Sequence, residues 1–316
     1  MEQLCIGVDL GGTSIKMGIF SADAKLLKKW EIPTDTSNKG ENIIKDIAKS
    51  IKKELKASDL SIMDCIGIGM GVPGPVLKSG YVKVCVNLGW KDVYPGRELS
   101  DILGGIAVYL GNDANVAALG EAWQGAAKDM QDVVLVTIGT GVGSGIIIDG
   151  KIVVGRHGLA GEIGHIHVED NESKQCNCGA YGCLEQVASA TGIVRLAKNA
   201  LEEGKRTSML QNIEKISAKD VLESAKAGDE LAMEVVQKVC AYLGVAISKV
   251  SLTVDPEVIV IGGGVSKAGS FLTDLIKKEY LKYTTLSDEQ ADIVLAKLGN
   301  DAGIYGAAKL ALSALT

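Results

Sequence analysis

One order of apolar runs and glycine turns occurs twice in this chain, and a duplication of that kind leaves few folds open. Leu4–Leu10 is an apolar run with one acid, Asp9. Gly11-Gly12-Thr13 reads as a turn, Ile15–Phe20 as a second strand, Ser21–Ala24 as a hairpin turn and Leu26–Ile32 as a third strand. The same order returns at Val133–Ile138, a glycine turn over Gly139–Gly145, Ile146–Ile148, the Asp149-Gly150 turn and Lys151–Val154. At an offset of 127 positions, Gly12-Thr13 falls on Gly139-Thr140 and Gly18-Ile19 on Gly145-Ile146. The spacing predicts a duplicated α/β unit.

Elements between and after the repeats fit that class. Asn42–Lys56 has helical periodicity, with Ile43, Ile44, Ile47, Ile51 and Leu55 on one face. Cys65–Met70 reads as a buried strand ending in the rigid loop Gly71-Val-Pro-Gly74-Pro75. Ile193–Leu201 and Leu231–Ser251 read as helices, Glu257–Ile261 as a strand opening onto Gly262-Gly263-Gly264, and Ala302–Leu312 as a closing helix. With 316 residues there is room for two domains. No low-complexity linker separates them, so the hinge is expected near Gly111.

Composition narrows the partners. A net charge of −6 without a basic run argues against nucleic acid and anionic membrane. The start, Met1-Glu-Gln-Leu-Cys5, lacks a secretory pattern, and the uncharged stretch Val133–Ile148 is broken by glycines, so no membrane span is expected there. Seven cysteines without such a leader point to a reducing cytoplasm. The 39 glycines suggest many tight turns, some of them ligand loops.

All three histidines and three of the seven cysteines fall between residues 157 and 183. The stretch runs His157…Glu162-Ile-Gly-His165-Ile-His167, then Cys176-Asn-Cys178-Gly-Ala-Tyr-Gly-Cys183-Leu-Glu185. One imidazole and three thiolates make a closed tetrahedral zinc set with no place for an activated water, which disfavours a zinc hydrolase. The plain alternative is buried thiols acting as small hydrophobes. Loop-type spacers weigh against it. Spacing alone admits His165 and His167 as the ligand, with His157 a third candidate.

The two glycine turns suit phosphate, because backbone N–H groups can converge where no Cβ blocks the approach, and Thr13 or Thr140 adds a hydroxyl. They could equally be hairpin turns that require positive φ. Neither fits the Walker pattern, and residues 144 and 267, where Gly-x-Gly-x-x-Gly would need its last glycine, are Ser and Lys. Asp113, in Asn112-Asp113-Ala-Asn115, reads either as a helix N-cap or as a general base toward an attacking hydroxyl. Glu162 and His165, three residues apart, can meet one small ligand. Glu185 can meet a ligand or cap the helix after Cys183.

Together these motifs resemble the ROK family of sugar kinases, within the actin-like ATPase superfamily. The matching segments are Asp9-Leu-Gly-Gly-Thr13-Ser-Ile-Lys16, Gly69-Met-Gly-Val-Pro-Gly74, Asn87-Leu-Gly-Trp90, Asn112-Asp-Ala-Asn115, Gly139–Gly145, Ala160-Gly-Glu-Ile-Gly-His165, Cys176-x-Cys178-x4-Cys183-Leu-Glu185 and Ile261-Gly-Gly-Gly264. The resemblance implies a two-lobed actin-like ATPase fold (ribonuclease H-like) with a central cleft. It implies a small lobe over 1–111, rejoined by a C-terminal helix over 302–316, and a large lobe over 112–301 carrying the zinc motif. It implies that Asp113 is the base and that Asn87, Asn112, Glu162, His165 and Glu185 hold sugar hydroxyls. His165, Cys176, Cys178 and Cys183 would hold structural Zn²⁺. ATP would be held by Asp9, Gly11, Gly12, Thr13 and Lys16 together with Gly139, Thr140, Gly141 and Gly143. Mg²⁺ would lie near Asp9, with Gly263 and Gly264 bordering adenosine.

The activity so implied is ATP-dependent phosphorylation of a hexose, with the 6-hydroxyl of glucose as first expectation. Ala188-Ser-Ala-Thr-Gly192-Ile is similar to the glucose-phosphorylating branch. The alternatives are N-acetylmannosamine, N-acetylglucosamine, fructose or allose as acceptor, or a sugar-sensing repressor. The repressor would need a helix-turn-helix segment before the first strand at Leu4. A homodimer or homotetramer is implied as well. The chain departs from the family pattern after Pro75-Val, where Leu77 and Lys78 stand in place of a frequent acid.

Overall fold

The structure is a computed structural model describing residues 3–204 and 206–313. Met1 and Glu2 of the expected N-terminus and residues 314–316 of the expected closing helix lie outside the described residues. In chain order the elements are β1 (Leu4–Leu10), β2 (Ser14–Ser21), β3 (Leu26–Pro33), α1 (Ile43–Lys56), β4 (Cys65–Val72), β5 (Val82–Cys85), β6 (Trp90–Val93), α2 (Pro95–Ile102), β7 (Val108–Asn112) and α3 (Asp113–Gln124). Then follow β8 (Val133–Ile138), β9 (Val142–Ile148), β10 (Lys151–Ile152), α4 (Leu184–Ala188), α5 (Ala190–Glu202), α6 (Ala218–Lys226), α7 (Glu230–Val254), β11 (Val258–Gly262), α8 (Ser270–Tyr280), β12 (Asp292–Leu295) and α9 (Ala302–Ser313). The described residues of 1–131, 145–161 and 297–316 form one compact unit, and those of 132–144 and 162–296 a second.

In the first unit the sheet order is β3-β2-β1-β4-β7. β1, β2 and β3 make an antiparallel meander, while β4 and β7 run parallel to β1. β3 alternates half-buried and exposed residues and carries Lys28 and Lys29, as an edge strand does. α1 forms because Ile43, Ile44, Ile47, Ile51 and Leu55 fall on one side. They are buried with Ile6, Val8, Met17 and Ile68 of the sheet. Lys53 and Lys56 in its last turn complement the helix dipole. Residue 111 lies inside β7, which pairs with β4 through Val72 and Asn112. α3 follows without a break, so both elements belong wholly to the first unit.

Seventeen of the described glycines take positive φ, as the expected tight turns require. Others mark close packing instead. A Cβ on Gly7 would lie 2.1 Å from the Ile304 carbonyl oxygen, on Gly69 1.8 Å from that of Ala307, and on Gly306 1.6 Å from that of Val116. Small residues thus let α9 sit directly on β1, β4 and α3. The wholly buried Glu121 closes the arrangement. Its carboxylate accepts the backbone N–H groups of Ala126, Lys297 and Leu298, tying the end of α3 to the approach to α9.

The second sheet, β10-β9-β8-β11-β12, repeats the strand order of the first. β8, β11 and β12 are parallel, with Val258 opposite both Val133 and Asp292. The turn expected over Gly139–Gly145 is shorter: β9 already begins at Val142, so Gly143 and Gly145 are strand residues. The reason at Gly145 is steric, since a Cβ would come 2.8 Å from the Ala114 carbonyl oxygen. Asp149 and Gly150 both take positive φ, as their hairpin turn requires. α7 has the length and apolar composition of a membrane-crossing helix, which the glycine-broken stretch 133–148 does not. In this fold 61% of its apolar window is buried, and it packs against α5, α6 and α8.

Candidate active site

In the first unit the β7–α3 junction sets Asn112 and Asp113. The cap is Asn112, not Asp113: its Oδ1 accepts the N–H of Asn115 at 3.1 Å. Its Nδ2 donates to the Gly74 carbonyl at 3.2 Å and to Asp113 Oδ1 at 3.0 Å. Asp113, the first helical residue, also accepts the Ala114 N–H at 2.8 Å. One carboxylate oxygen is therefore held by two donors, which fixes the side chain as a base needs to be fixed. Asn115, two residues on, is buried with its Oδ1 unpartnered.

Asp9 and Lys16 are paired across β1 and β2. Burial pushes the Asp9 carboxyl above the usual carboxylate range; Lys16 draws it down, and Asp301 and Glu31 push it further up. Lys16 Nζ donates to the Asn300 carbonyl at 3.2 Å. Between these strands, Gly11 N–H donates to Ser14 O, and the Gly11 and Thr13 carbonyls accept from Thr34 Oγ1 and N–H. Asn87 is exposed in a single helical turn after β5, and a Cβ on Gly12 would lie 3.7 Å from its Cβ. The structure thus brings Asn87 beside the first glycine turn.

In the second unit the metal-ligand set is resolved. Donor atoms of His165, Cys176, Cys178 and Cys183 lie within 4.8 Å of one another. His165 Nδ1 is 3.7 Å from Cys176 Sγ, and Cys178 and Cys183 Sγ are 3.6 Å apart. A tetrahedral zinc with Zn–S bonds near 2.3 Å needs donor separations of about 3.8 Å, so the set fits that ion. His167 is engaged elsewhere, with Nδ1 2.9 Å from the Tyr181 carbonyl and Nε2 2.8 Å from Asp170. His157 falls in the other unit. The Ala180 N–H holds the Cys178 thiol below its ordinary range, while burial pushes Cys183 up to about 12. Gln186 braces the loop, its Oε1 accepting the Cys183 N–H and its Nε2 donating to the Lys174 carbonyl.

Glu162 and His165 bound one short helical turn, with His165 N–H donating to Glu162 O at 3.1 Å. Gly164 allows that turn to rest on Val142, whose carbonyl oxygen would be 2.2 Å from a Cβ. Glu185, in the first turn of α4, does not cap it. Its Oε2 accepts the Val142 N–H at 3.0 Å, at the second glycine turn. The space that Gly141 leaves is filled by that same oxygen, 2.2 Å from where a Cβ would be. Gly11, Gly12, Gly139 and Gly141 all lie outside the left-handed region, so a requirement for positive φ does not explain them. Gly263 packs on Ile138, while Gly264 has open space around it. The β8 turn and the β11 turn therefore share the C-terminal edge of one parallel strand pair, where open α/β sheets bind ligands.

Sequence reading missed the contacts made by the α4–α5 junction. Ala190 N–H donates to Gly139 O at 2.8 Å, and Thr191 Oγ1 to Thr140 O at 3.0 Å. Their one trace in the sequence is the Ala188–Ile193 run.

Comparison with known proteins gives the family of the chain. The ROK family model matches residues 5–314. The chain is 43% identical over 310 residues to the glucokinase of Halalkalibacterium halodurans, covering 96% of this chain and 94% of that protein. A crystal structure of a ROK family glucokinase from Streptomyces griseus in complex with glucose and AMPPNP aligns with a TM-score of 0.77 and 32% identity, over 97% of this chain and 98% of that one. A putative xylose repressor from Caldicellulosiruptor is 30% identical over 98% of this chain and 78% of its own length.

Proposed function

Because the chain belongs to the ROK family, we propose that it transfers the γ-phosphoryl group of ATP to the 6-hydroxyl of glucose. The observation that carries this reading is the Asp113 carboxylate, held by Asn112 Nδ2 and the Ala114 N–H in a chain 43% identical to a glucokinase. Asp113 would take the proton from the attacking hydroxyl. Asn87, Asn112, Glu162, His165 and Glu185 would orient the sugar. Gly11, Gly12, Thr13 and Lys16, with Gly139, Thr140, Gly141 and Gly143, would hold phosphate oxygens, and Gly263 and Gly264 would border the nucleoside. Phosphoryl transfer rests on positioning and charge stabilisation, so a fixed base and phosphate-binding turns suffice for the protein's part.

Mg²⁺, with Asp9 as its carboxylate, would neutralise charge on the phosphates. Zinc on His165, Cys176, Cys178 and Cys183 would be structural, keeping Glu162, His165 and Glu185 in a fixed mutual arrangement. All seven cysteines are free thiols, which supports the cytoplasm as the compartment.

The second reading, favoured by the 30% identity to a repressor, is a sugar sensor that binds without transferring phosphate. A coupled ADP-release assay over glucose, fructose, allose, N-acetylglucosamine and N-acetylmannosamine separates the two. The kinase reading expects sugar-dependent ADP release, fastest with glucose. A low rate indifferent to every sugar would support the sensor, and a maximum with an acetamido sugar would reassign the acceptor.

A further inference from the structure

The segment from Cys183 to Gly192 is built more rigidly than a simple helix connection requires. At its start, Glu185 of α4 accepts the Val142 N–H. At its end, Ser189 is wholly buried and caps α5 by accepting the Gly192 N–H at 3.1 Å. Its hydroxyl also lies 2.9 Å from that of Thr191. Ala190 N–H and the Thr191 hydroxyl then reach Gly139 O and Thr140 O. Three hydrogen bonds thus join this one segment to residues 139, 140 and 142. The absence of a side chain at Gly141 is what lets Glu185 approach them. All of these contacts lie within the second unit.

We propose that this segment is a mechanical bridge between the two substrates, with Thr191 as a positioning residue for the nucleotide turn. The inference rests on the proposed roles of Glu185 toward sugar and of residues 139–141 toward phosphate. A sugar hydroxyl hydrogen-bonded to Glu185 restrains the carboxylate that also holds Val142. The restraint passes along the capped α4–α5 junction to Thr140, so the turn is ordered before ATP arrives. Ordering by one ligand that the second no longer has to supply is positive coupling, and linkage makes it reciprocal. Thr191 touches neither substrate in this scheme; its hydroxyl only fixes the Thr140 carbonyl.

Calorimetric titration of the full chain tests this, using glucose alone, AMPPNP with Mg²⁺ alone, and each in the presence of the other. In the unaltered protein glucose should tighten AMPPNP roughly fivefold or more. Thr191→Val removes one exposed hydroxyl and keeps the volume, so folding and zinc content should hold. It should bring the coupling factor to within about twofold of one and leave the glucose affinity alone unchanged, as loss of a single hydrogen bond allows. Thr191→Ser, which keeps the hydroxyl, should restore the coupling. The bridge is overturned by a factor of one in the unaltered protein, by full coupling in Thr191→Val, or by Thr191→Ser behaving like Thr191→Val. Failure of glucose to bind under any of these conditions, or of AMPPNP to bind even with saturating glucose, overturns the kinase reading itself, and the paired titrations tell that failure apart.

Discussion

At the residue scale, the proposed roles of Asp113 and Asp9 make different demands. Asp113 is partly exposed and one of its oxygens is fixed by two donors, so removing it costs chemistry more than fold. Asp113→Ala is expected to keep its melting temperature within a few degrees and to bind glucose, with kcat reduced ~10²–10⁴-fold. Near-normal turnover would remove Asp113 from its role. Asp9 carries a cost instead. Its folded carboxyl titrates above the ordinary 3.8 because burial opposes the charge. The folded state therefore binds that proton more tightly than the unfolded chain does. This contribution is fully present below pH 3.8 and is lost as pH rises through the raised folded value. Asp9→Asn never bears the charge, so without nucleotide it should melt higher at neutral pH, the gain vanishing below pH 3.8. Catalysis should fall in the same variant; a lower melting temperature at pH 7 would count against the burial argument. The local motif drew attention to Asp113, whereas a role for Asp9 came only from the family resemblance. The motif could not tell that Asn112 rather than Asp113 would cap α3, because either side chain satisfies a helix N-terminus and tertiary contact with Gly74 decides.

At the element scale, the loop that carries the cysteines and the helix that closes the first unit are both set by local geometry. Cys178→Ser should lose zinc and, with it, roughly tenfold or more in sugar affinity, since Glu185 follows Cys183 by two residues. Full zinc content in that variant, read by atomic absorption, would exclude Cys178 as a ligand. Helix α9 has no room for added side chains at its small positions. Gly306→Ala places a carbon 1.6 Å from the Val116 carbonyl oxygen, and the overpacking is expected to cost ~1–3 kcal/mol or more, lowering the melting temperature by at least ~2 °C. An unchanged melting curve would contradict the close packing of α9 on α3. The position of α1 was legible from its apolar stripe, and the cysteine motif from its spacing. The start of β9 was not, because Gly143 and Gly145 look like turn residues until Ala114 is seen to need the space. The Glu185 bond to Val142 was also invisible, since it joins positions 43 residues apart.

At the scale of the whole molecule, the duplicated order of strands was readable because a short glycine-marked pattern recurs at a constant offset, and both sheets carry it in the same order. Acceptor choice was not readable in the same way, because the groups that would refuse an acetamido substituent are placed by loop shape rather than by motif. Formation of a sugar phosphate is read without a coupling enzyme by ³¹P NMR of the reaction with ATP, Mg²⁺ and glucose. Glucose 6-phosphate should appear in step with ADP in the unaltered protein, and neither product at a comparable rate in Asp113→Ala. ADP accompanied by inorganic phosphate and no phosphate ester, or equal glucose 6-phosphate from both proteins, would contradict the proposed transfer.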